Sequence, residues 1–264
     1  MSNILPDYPP EFWIAAITAM TIVGIAKAGF GSGPALVATP LLALTIPVTE
    51  AAAILLPLII VADLFSVRHY RSDFDRESLR VIIPASLVGI VIGALFFGYF
   101  SANERVLQVG IGLLALFFVL FQATRGILMG ALPQRRPARP VGYLLGALSG
   151  FASTLAHAGG PLVVIYMLPQ QLSRQTFVGT TVIAFMIMNL VKLIPYSILG
   201  LLRVGNLITI VLLSPFTFIG VQIGVWLNRN FSERWFNIVI YILLVFTGLQ
   251  LILGRSLLGL ILPT

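Results

Sequence analysis

Long apolar segments alternate with short polar connections along almost the whole chain. Eight of them approach the roughly 20 residues that a helix needs to cross the hydrocarbon core of a bilayer. They lie at 11–30, 50–67, 79–98, 104–123, 141–157, 173–195, 204–227 and 234–253. The pattern predicts an all-α polytopic membrane protein with about four full transmembrane helices in each half of the chain.

Two shorter apolar segments, 34–46 and 161–169, directly follow glycine-rich interruptions. A regular helix of this length is too short to cross the membrane, because it rises only about 1.5 Å per residue. We expect each segment to form a short broken or re-entrant helix, one in each half.

The composition agrees with a membrane protein. Of the 264 residues, 58% are hydrophobic and 9% are charged, whereas a soluble domain has about 25% charged residues. The absence of cysteine excludes disulfides and thiolate metal sites, and we expect no cofactor. A net charge of +7 would also suit a nucleic-acid partner, but the arginines cluster in two connecting segments, so we expect none.

These two basic segments, 68–80 and 124–140, predict the orientation of the chain. Cytoplasmic loops carry an excess of Lys and Arg, so both segments should face the cytoplasm of a cell (inner) membrane. The acidic start of the chain predicts that both termini lie outside. The start lacks a basic region before its first apolar segment, which favours a retained segment over a cleaved signal peptide.

An internal repeat divides the chain. A shift of 127 positions aligns Gly33-Pro34 with Gly160-Pro161, and a shift of 131 aligns Gly89 with Gly220 and Gly93 with Gly224. This predicts a first transmembrane repeat at 1–123, a cytoplasmic basic linker at 124–140 and a second repeat at 141–264. Basic charge changes sides between matched loops, which favours inverted halves; a parallel duplication of four helices each is the alternative.

The two glycine interruptions are the strongest functional signal. Lys27 to Pro34 and Leu155 to Pro161 each combine a helix end, glycines and a proline that suits the start of a new helix. An exposed helix N-terminus attracts anions, so two facing interruptions predict an anion site at the middle of the membrane. The alternative is that these glycines only permit close helix packing.

Several polar residues in apolar segments add to this prediction. Lys27 and Lys192 suit a bound anion, although either could extend its amine to the interface instead. Asp63 and His157 are candidates for a coupling proton; Asp63 could also pair with Lys27 or Lys192 or lie at the interface, and His157 could be structural. The predicted substrate-binding residues are Lys27, Gly29, Phe30, Gly31, Ser32, Gly33, Thr154, His157, Ala158, Gly159, Gly160, Asn189 and Lys192.

The chain resembles the TauE/SafE family, also called the sulfite exporter family. The residues that carry the resemblance are Gly24 to Pro34, the following Thr39-Pro40-Leu-Leu, and the second Gly-Gly-Pro161, together with the duplicated layout. The resemblance implies export of sulfite, sulfoacetate or a related organosulfur anion, with the glycine motifs as substrate elements.

We therefore expect a secondary transporter whose partners are a small anionic substrate and membrane lipid, and we leave a homo-oligomer open. No motif for hydrolytic or redox catalysis is present, so we do not expect an enzyme. An anion channel and a membrane-embedded enzyme resembling a lipid pyrophosphatase are the alternatives.

Overall fold

The computed structural model describes residues 8–31, 34–131, 135–202, 206–230 and 234–254, and these residues form helices and short connections without a strand. The α-helices are α1 Pro10–Phe30, α2 Ala38–Leu42, α3 Val48–Tyr70, α4 Arg76–Ala102, α5 Glu104–Ala131, α6 Arg139–Ala156, α7 Gly160–Met167, α8 Arg174–Ile198, α9 Asn206–Asn230 and α10 Arg234–Leu253. Short 3₁₀ helices cover Pro34–Val37 and Leu168–Gln170.

Seven of these helices are long and apolar enough to cross a membrane: α1, α3, α4, α5, α8, α9 and α10. The predicted all-α polytopic fold is therefore confirmed. The eighth long helix, α6, has 18 residues and is less apolar, because glycine, serine and threonine occupy much of its packed side. Many large apolar side chains are exposed, including Leu95 at 77% and Ile198 at 80%, as expected for surfaces that face lipid.

Both predicted helix interruptions are present. Helix α1 ends at Phe30, and Gly31 leaves helical geometry with φ +82°, a conformation that favours glycine. Helix α6 ends at Ala156, and His157 caps it in the left-handed conformation with φ 53°. The segment 34–46, however, is not one half-helix: the 3₁₀ helix Pro34–Val37 leads into the five-residue α2.

Two hydrogen bonds from tyrosine hydroxyls show the relative directions of α1 and α3. Tyr8 donates to Glu50 at 2.7 Å where the two helices begin, and Tyr70 donates to the Ala28 carbonyl at 2.6 Å where they end. The helices are therefore parallel, so the segment between them returns across the molecule. The contact at the helix ends recurs 126 residues later, where Tyr196 of α8 donates to the Thr154 carbonyl of α6 at 2.7 Å.

Glycines bring helices of different halves into backbone contact. A Cβ added to Gly89 of α4 would lie 1.9 Å from the Ala147 carbonyl oxygen of α6. A Cβ added to Gly220 of α9 would lie 2.4 Å from the Thr21 carbonyl oxygen of α1. The two contacts are related by the same repeat, with a shift of 131 between α4 and α9 and of 126 between α1 and α6.

The shift of 126 corrects the sequence alignment by one position at the helix ends. The structure places His157 opposite Gly31, not opposite Phe30, because both Gly31 and His157 follow the last residue of their helix. The predicted shift of 127 applies only around the prolines, Pro34 and Pro161, because α3 and α8 are again related by 126, as Tyr70 and Tyr196 are. The extra residue of the second half therefore lies between the helix end and the proline.

Helices α3 and α8 are equivalent in the repeat but run in opposite directions. The Asp75 backbone N–H, just after α3, donates to the Thr180 hydroxyl near the start of α8 at 2.8 Å. Closer to the start of α3 and to the end of α8 than this contact, the Asn189 amide donates to the Asp63 carboxylate at 2.6 Å, and these two positions are also 126 residues apart. Antiparallel equivalent helices are consistent with inverted halves.

The two basic segments lie on the same face of the molecule. Arg136, which precedes α6, forms ion pairs with Asp75 at 3.0 Å and with Glu77 at 2.8 Å. The connection between α5 and α6 is therefore bound to the start of α4. Part of the predicted linker 124–140 is helical, since α5 continues to Ala131 and α6 begins at Arg139.

Candidate functional site

A buried polar cluster lies where α1, α3, α6 and α8 meet. Lys27 is 3% exposed, Asn189 is 2% exposed, and Asp63 and Lys192 are fully buried. Lys27 and Lys192 are the only lysines of the chain, so both of its primary ammonium side chains belong to this cluster. A lysine at the centre of a transmembrane helix costs about 2.5–3.5 kcal/mol or more unless it has a partner, which makes the bonding of each lysine informative.

Lys27 and Asn189 hold the carboxylate of Asp63 from two sides. The Lys27 ammonium donates to Oδ1 in a buried ion pair, and the Asn189 amide donates to Oδ2 at 2.6 Å. Of the pairings that the sequence left open for Asp63, the structure forms the one with Lys27. Lys27 does not extend to the interface, because its ammonium lies 5.8 Å from the buried Phe185 ring.

Lys192 has a different set of partners. Its ammonium lies 3.1 Å from the Ser153 carbonyl oxygen, 2.9 Å from the Ser153 hydroxyl and 2.8 Å from Nδ1 of His157. No carboxylate of the described residues lies within salt-bridge distance of it. The cluster therefore combines two lysines with one carboxylate.

The hydrogen bonds of His157 assign its tautomer. Nε2 lies 2.9 Å from the Ala52 carbonyl oxygen, which can only accept. Nε2 therefore carries the proton, and Nδ1 accepts from Lys192. His157 thereby connects the end of α6 to the start of α3 and fixes the position of Lys192.

The two helix interruptions lie against each other. The Thr39 hydroxyl, which follows the first interruption, donates to the Ala156 carbonyl before the second at 2.6 Å. Leu36, Val37 and Ala158 belong to one buried apolar cluster around this contact. The segment that follows the first interruption therefore contacts, in the interior of the protein, the end of the helix that precedes the second.

Several of the predicted site residues make packing contacts. Gly29 packs on Gly224, Phe30 stacks on Phe236 with ring centroids 4.6 Å apart, and Gly159 packs on Ser149. The Thr154 hydroxyl donates to the Gly150 carbonyl of its own helix at 2.9 Å.

Two more of the predicted residues also make packing contacts. Gly31 packs close to Phe177 and Thr181. Ala158 is buried among apolar residues, and Ser32 and Gly33 lie outside the described residues.

A small cavity adjoins the polar cluster. Its volume is about 20 Å³, which is room for about one water molecule. It is lined by Lys27, Ala35, Ile59, Ser153, His157, Gly160, Phe185 and Asn189. The predicted residues Lys27, His157, Gly160 and Asn189 thus share one cavity, and the cavity is too small in this conformation for an oxyanion of four or more heavy atoms.

Sequence reasoning missed Ser153 and Phe185. Ser153 lies 126 residues after Lys27, so the repeat position of the buried lysine would have identified it once the shift of 126 was known. Serine is common in membrane helices and usually binds its own backbone, so its residue type alone gave no signal. Phe185 could not be distinguished from the other buried apolar residues.

One family model, Sulfite exporter TauE/SafE, matches residues 16–251. The match includes every residue of the polar cluster, from Lys27 to Lys192. The chain belongs to the TauE/SafE family. It is therefore a multi-pass membrane protein of a family of sulfite exporters, in agreement with its seven apolar helices. No curated protein and no solved structure matched the chain.

Proposed function

We propose that this TauE/SafE protein is a secondary transporter that exports sulfite, sulfoacetate or a related organosulfonate across the cytoplasmic membrane. The observation that carries the proposal is the buried cluster of two lysines and one carboxylate beside the paired helix interruptions. Ammonium and amide N–H groups are the donors that an oxyanion requires when it leaves water, and the Lys27 side of the cluster offers both.

The proposed site is the cavity lined by Lys27, His157, Gly160 and Asn189, enlarged in the conformation that binds the anion. The adjacent interruptions allow this change, since the backbone between two broken helices can move without unfolding a continuous helix. We propose inverted halves as the basis of alternating access, with the basic face in the cytoplasm. An inside-negative potential favours anion export by about 2.3 kcal/mol per charge per 100 mV.

The small volume of the cavity, about 20 Å³, favours a transporter over an open anion channel, because an oxyanion cannot pass through it without a conformational change. An enzyme that cleaves a lipid pyrophosphate is less well supported. Asp63 is the only buried carboxylate of the described residues, and both of its oxygens are bound by protein donors. With no second buried carboxylate in the described part of the chain, Asp63 does not form the cluster of carboxylates that cleavage of a pyrophosphate needs.

Flux into and out of proteoliposomes tests the proposal. Vesicles containing the purified protein should release preloaded sulfite, sulfoacetate or thiosulfate at a rate that saturates with concentration, whereas protein-free vesicles should not. Lys27→Met should lower this flux about tenfold or more, since a hydrogen bond to a charged group contributes about 1.5–3 kcal/mol. Arg71→Met, which removes a charge from the exposed loop after α3, should leave it unchanged.

If none of the three anions moves or binds, the substrate class is wrong. If Lys27→Met transports as well as the wild type, Lys27 does not belong to the substrate site. Flux that does not saturate and proceeds at channel rates would support the channel alternative instead.

A further inference from the structure

The carboxylate of Asp63 occupies the donors that an anionic substrate would use. Oδ1 accepts from the Lys27 ammonium and Oδ2 accepts from the Asn189 amide, and Asp63 is fully buried. A carboxylate presents two oxygens that share one negative charge, as the oxygens of a sulfonate or sulfite group share theirs. The protein therefore carries its own oxyanion at the site.

The neighbouring cavity reaches the same donors from another direction. Lys27 and Asn189 line it, and its volume is about 20 Å³. An oxyanion that enters an enlarged cavity would contact the same ammonium as Asp63. Two anionic groups would then share one cation in a region that water does not screen, and like charges in that arrangement disfavour each other's ionised forms.

The other charged and titratable groups around Asp63 do not relieve this competition. Lys192 on α8 has three N–H groups and three protein partners: the Ser153 carbonyl, the Ser153 hydroxyl and His157 Nδ1. His157, after α6, is the acceptor of Lys192 and the donor to the Ala52 carbonyl. Lys27 on α1 is thus the cation whose bonding must change, and Asn189 is neutral.

We propose that Asp63 is an internal counter-anion that takes up one proton when the substrate binds, so that each anion is carried together with one proton. In this step a hydronium ion of the cytoplasmic solution becomes water and gives the proton that forms an O–H bond on the Asp63 carboxylate; this proton returns to water outside when the anion is released. The ion pair between Asp63 and Lys27 breaks, and Lys27 forms a new ion pair with the substrate. The proton raises the net charge of the site by one, and the bound anion lowers it by the number of its own negative charges.

This inference rests on the proposed function and adds its coupling ion. A monoanion carried with one proton crosses without net charge, whereas a dianion such as sulfoacetate still carries one negative charge outward. The membrane potential therefore continues to favour export of the dianion. Of the two candidates for a coupling proton, we select Asp63, because the entering anion competes for its partner Lys27, whereas the partners of His157 are Ala52 and Lys192.

Counting protons per anion tests the inference. Wild-type protein is reconstituted with an entrapped pH indicator, the membrane potential is clamped at zero, and an outward gradient of sulfoacetate, thiosulfate or sulfite is imposed. We expect one proton to move with each anion, in the same direction. Asp63→Asn should move anions without this proton. The number of protons that this variant moves per sulfite gives the contribution of protons bound to sulfite itself, which is subtracted from the wild-type number.

Glu50→Gln is the matched control, since Glu50 is a carboxylate on the same helix that lies at its start and binds Tyr8. It should retain the wild-type ratio. Wild-type anion flux without proton movement, or an unchanged ratio in Asp63→Asn, would overturn the inference while leaving the proposed function intact. Failure of all three anions to move in the wild type would instead refute the proposed function.

Infrared difference spectroscopy of the wild type covers the case in which Asp63→Asn does not fold. Addition of sulfoacetate, thiosulfate or sulfite should convert one carboxylate signal into the C=O band of a protonated carboxylic acid, and Glu50→Gln should keep this change. Anion binding without the new band would overturn the inference.

Discussion

The two buried lysines of this protein are held by different kinds of partner, one charged and the other neutral. The Lys27–Asp63 pair offsets two charges that would each be costly alone in the membrane interior. Lys192 is held by a carbonyl, a hydroxyl and an imidazole nitrogen. The two lysines are therefore not interchangeable, and substitutions should separate a structural contribution from a contribution to transport.

Removal of one partner of the buried ion pair should destabilise the protein more than removal of both. Lys27→Met leaves the Asp63 carboxylate buried without its cation, a change that costs about 3–5 kcal/mol in buried pairs. The double variant Lys27→Met with Asp63→Asn should regain most of the lost thermal stability in detergent but not the anion flux. Recovery of flux in the double variant would show that the charges serve folding alone.

The backbone of His157 predicts a second difference between variants. A left-handed conformation costs an ordinary L-residue about 1–2 kcal/mol but is tolerated better by asparagine. His157→Ala should therefore lower the unfolding temperature more than His157→Asn, while both variants lose the ring N–H that donates to the Ala52 carbonyl and transport more slowly. Equal unfolding temperatures for the two variants would contradict the left-handed geometry at this position.

Some of these residues could be predicted from the sequence and others could not. Lys27, Asp63, Asn189 and Lys192 were predictable because polar side chains are rare in apolar segments. The glycine-rich motif did not distinguish residues that line the cavity, such as Gly160, from those that pack against another helix. That distinction depends on the helix that lies opposite, which local sequence does not specify.

At the level of helices, small residues and bound loops determine the packing. Gly150 of α6 allows contact with the Ser86 carbonyl of α4, and Gly24 of α1 makes the equivalent contact with the Thr217 carbonyl of α9. The existence of the long helices followed from the sequence to within a few residues at most ends. The division of 34–46 into a 3₁₀ helix and α2 did not follow, because apolar periodicity is ambiguous over so few residues.

Alanine substitutions should distinguish packed glycines from open ones. A Cβ at Gly150 would lie 2.0 Å from the Ser86 carbonyl oxygen, whereas a Cβ at Gly98, on the partner helix α4, would meet nothing within 4 Å. Gly150→Ala should destabilise the protein by about 1–3 kcal/mol, as overpacking does. Gly98→Ala should be neutral or stabilising; thermal unfolding in detergent measures both, and a neutral Gly150→Ala would argue against the contact.

The start of α4 predicts a pH dependence outside the membrane. Partial burial alone would raise the pKa of Asp75, but hydrogen bonds from Ser78 and Arg136 outweigh it and hold this pKa below its ordinary value. A lowered pKa contributes stability above the unfolded pKa, and this contribution is lost as the pH falls through the folded pKa.

Asp75→Asn should therefore lower the unfolding temperature at neutral pH, and its difference from the wild type should shrink as the pH falls below the ordinary aspartate pKa of about 4 and through the lowered pKa of the folded state. Asp73→Asn changes a carboxylate of the same loop and should have a smaller effect at neutral pH. A difference between Asp75→Asn and the wild type that does not depend on pH would assign the effect to something other than the charge.

At the scale of the whole molecule, five passages across the protein in each half explain the observed contacts. Helices α1 and α3 are parallel, so the short interrupted segment between them counts as a passage, and α4 and α5 add two more. An odd number of passages would reverse the second half relative to the first, which is the inverted arrangement that we propose. The antiparallel contact of α3 with α8 is the expected result, and the same count places the start of α1 and the end of α10 on one face, opposite the basic segments.

Cysteine labelling can distinguish this inverted arrangement from a parallel duplication. The chain contains no cysteine, so Ser72→Cys and Leu199→Cys each introduce a single thiol at an exposed position after α3 or after its equivalent α8. Inverted halves with a cytoplasmic basic face predict that a membrane-impermeant thiol reagent labels intact cells at Leu199→Cys and not at Ser72→Cys. Permeabilised cells should label at both positions. A parallel duplication places both loops on the same side, so equal labelling of the two variants in intact cells would exclude inversion, and the reverse pattern would retain inversion but place the basic face outside.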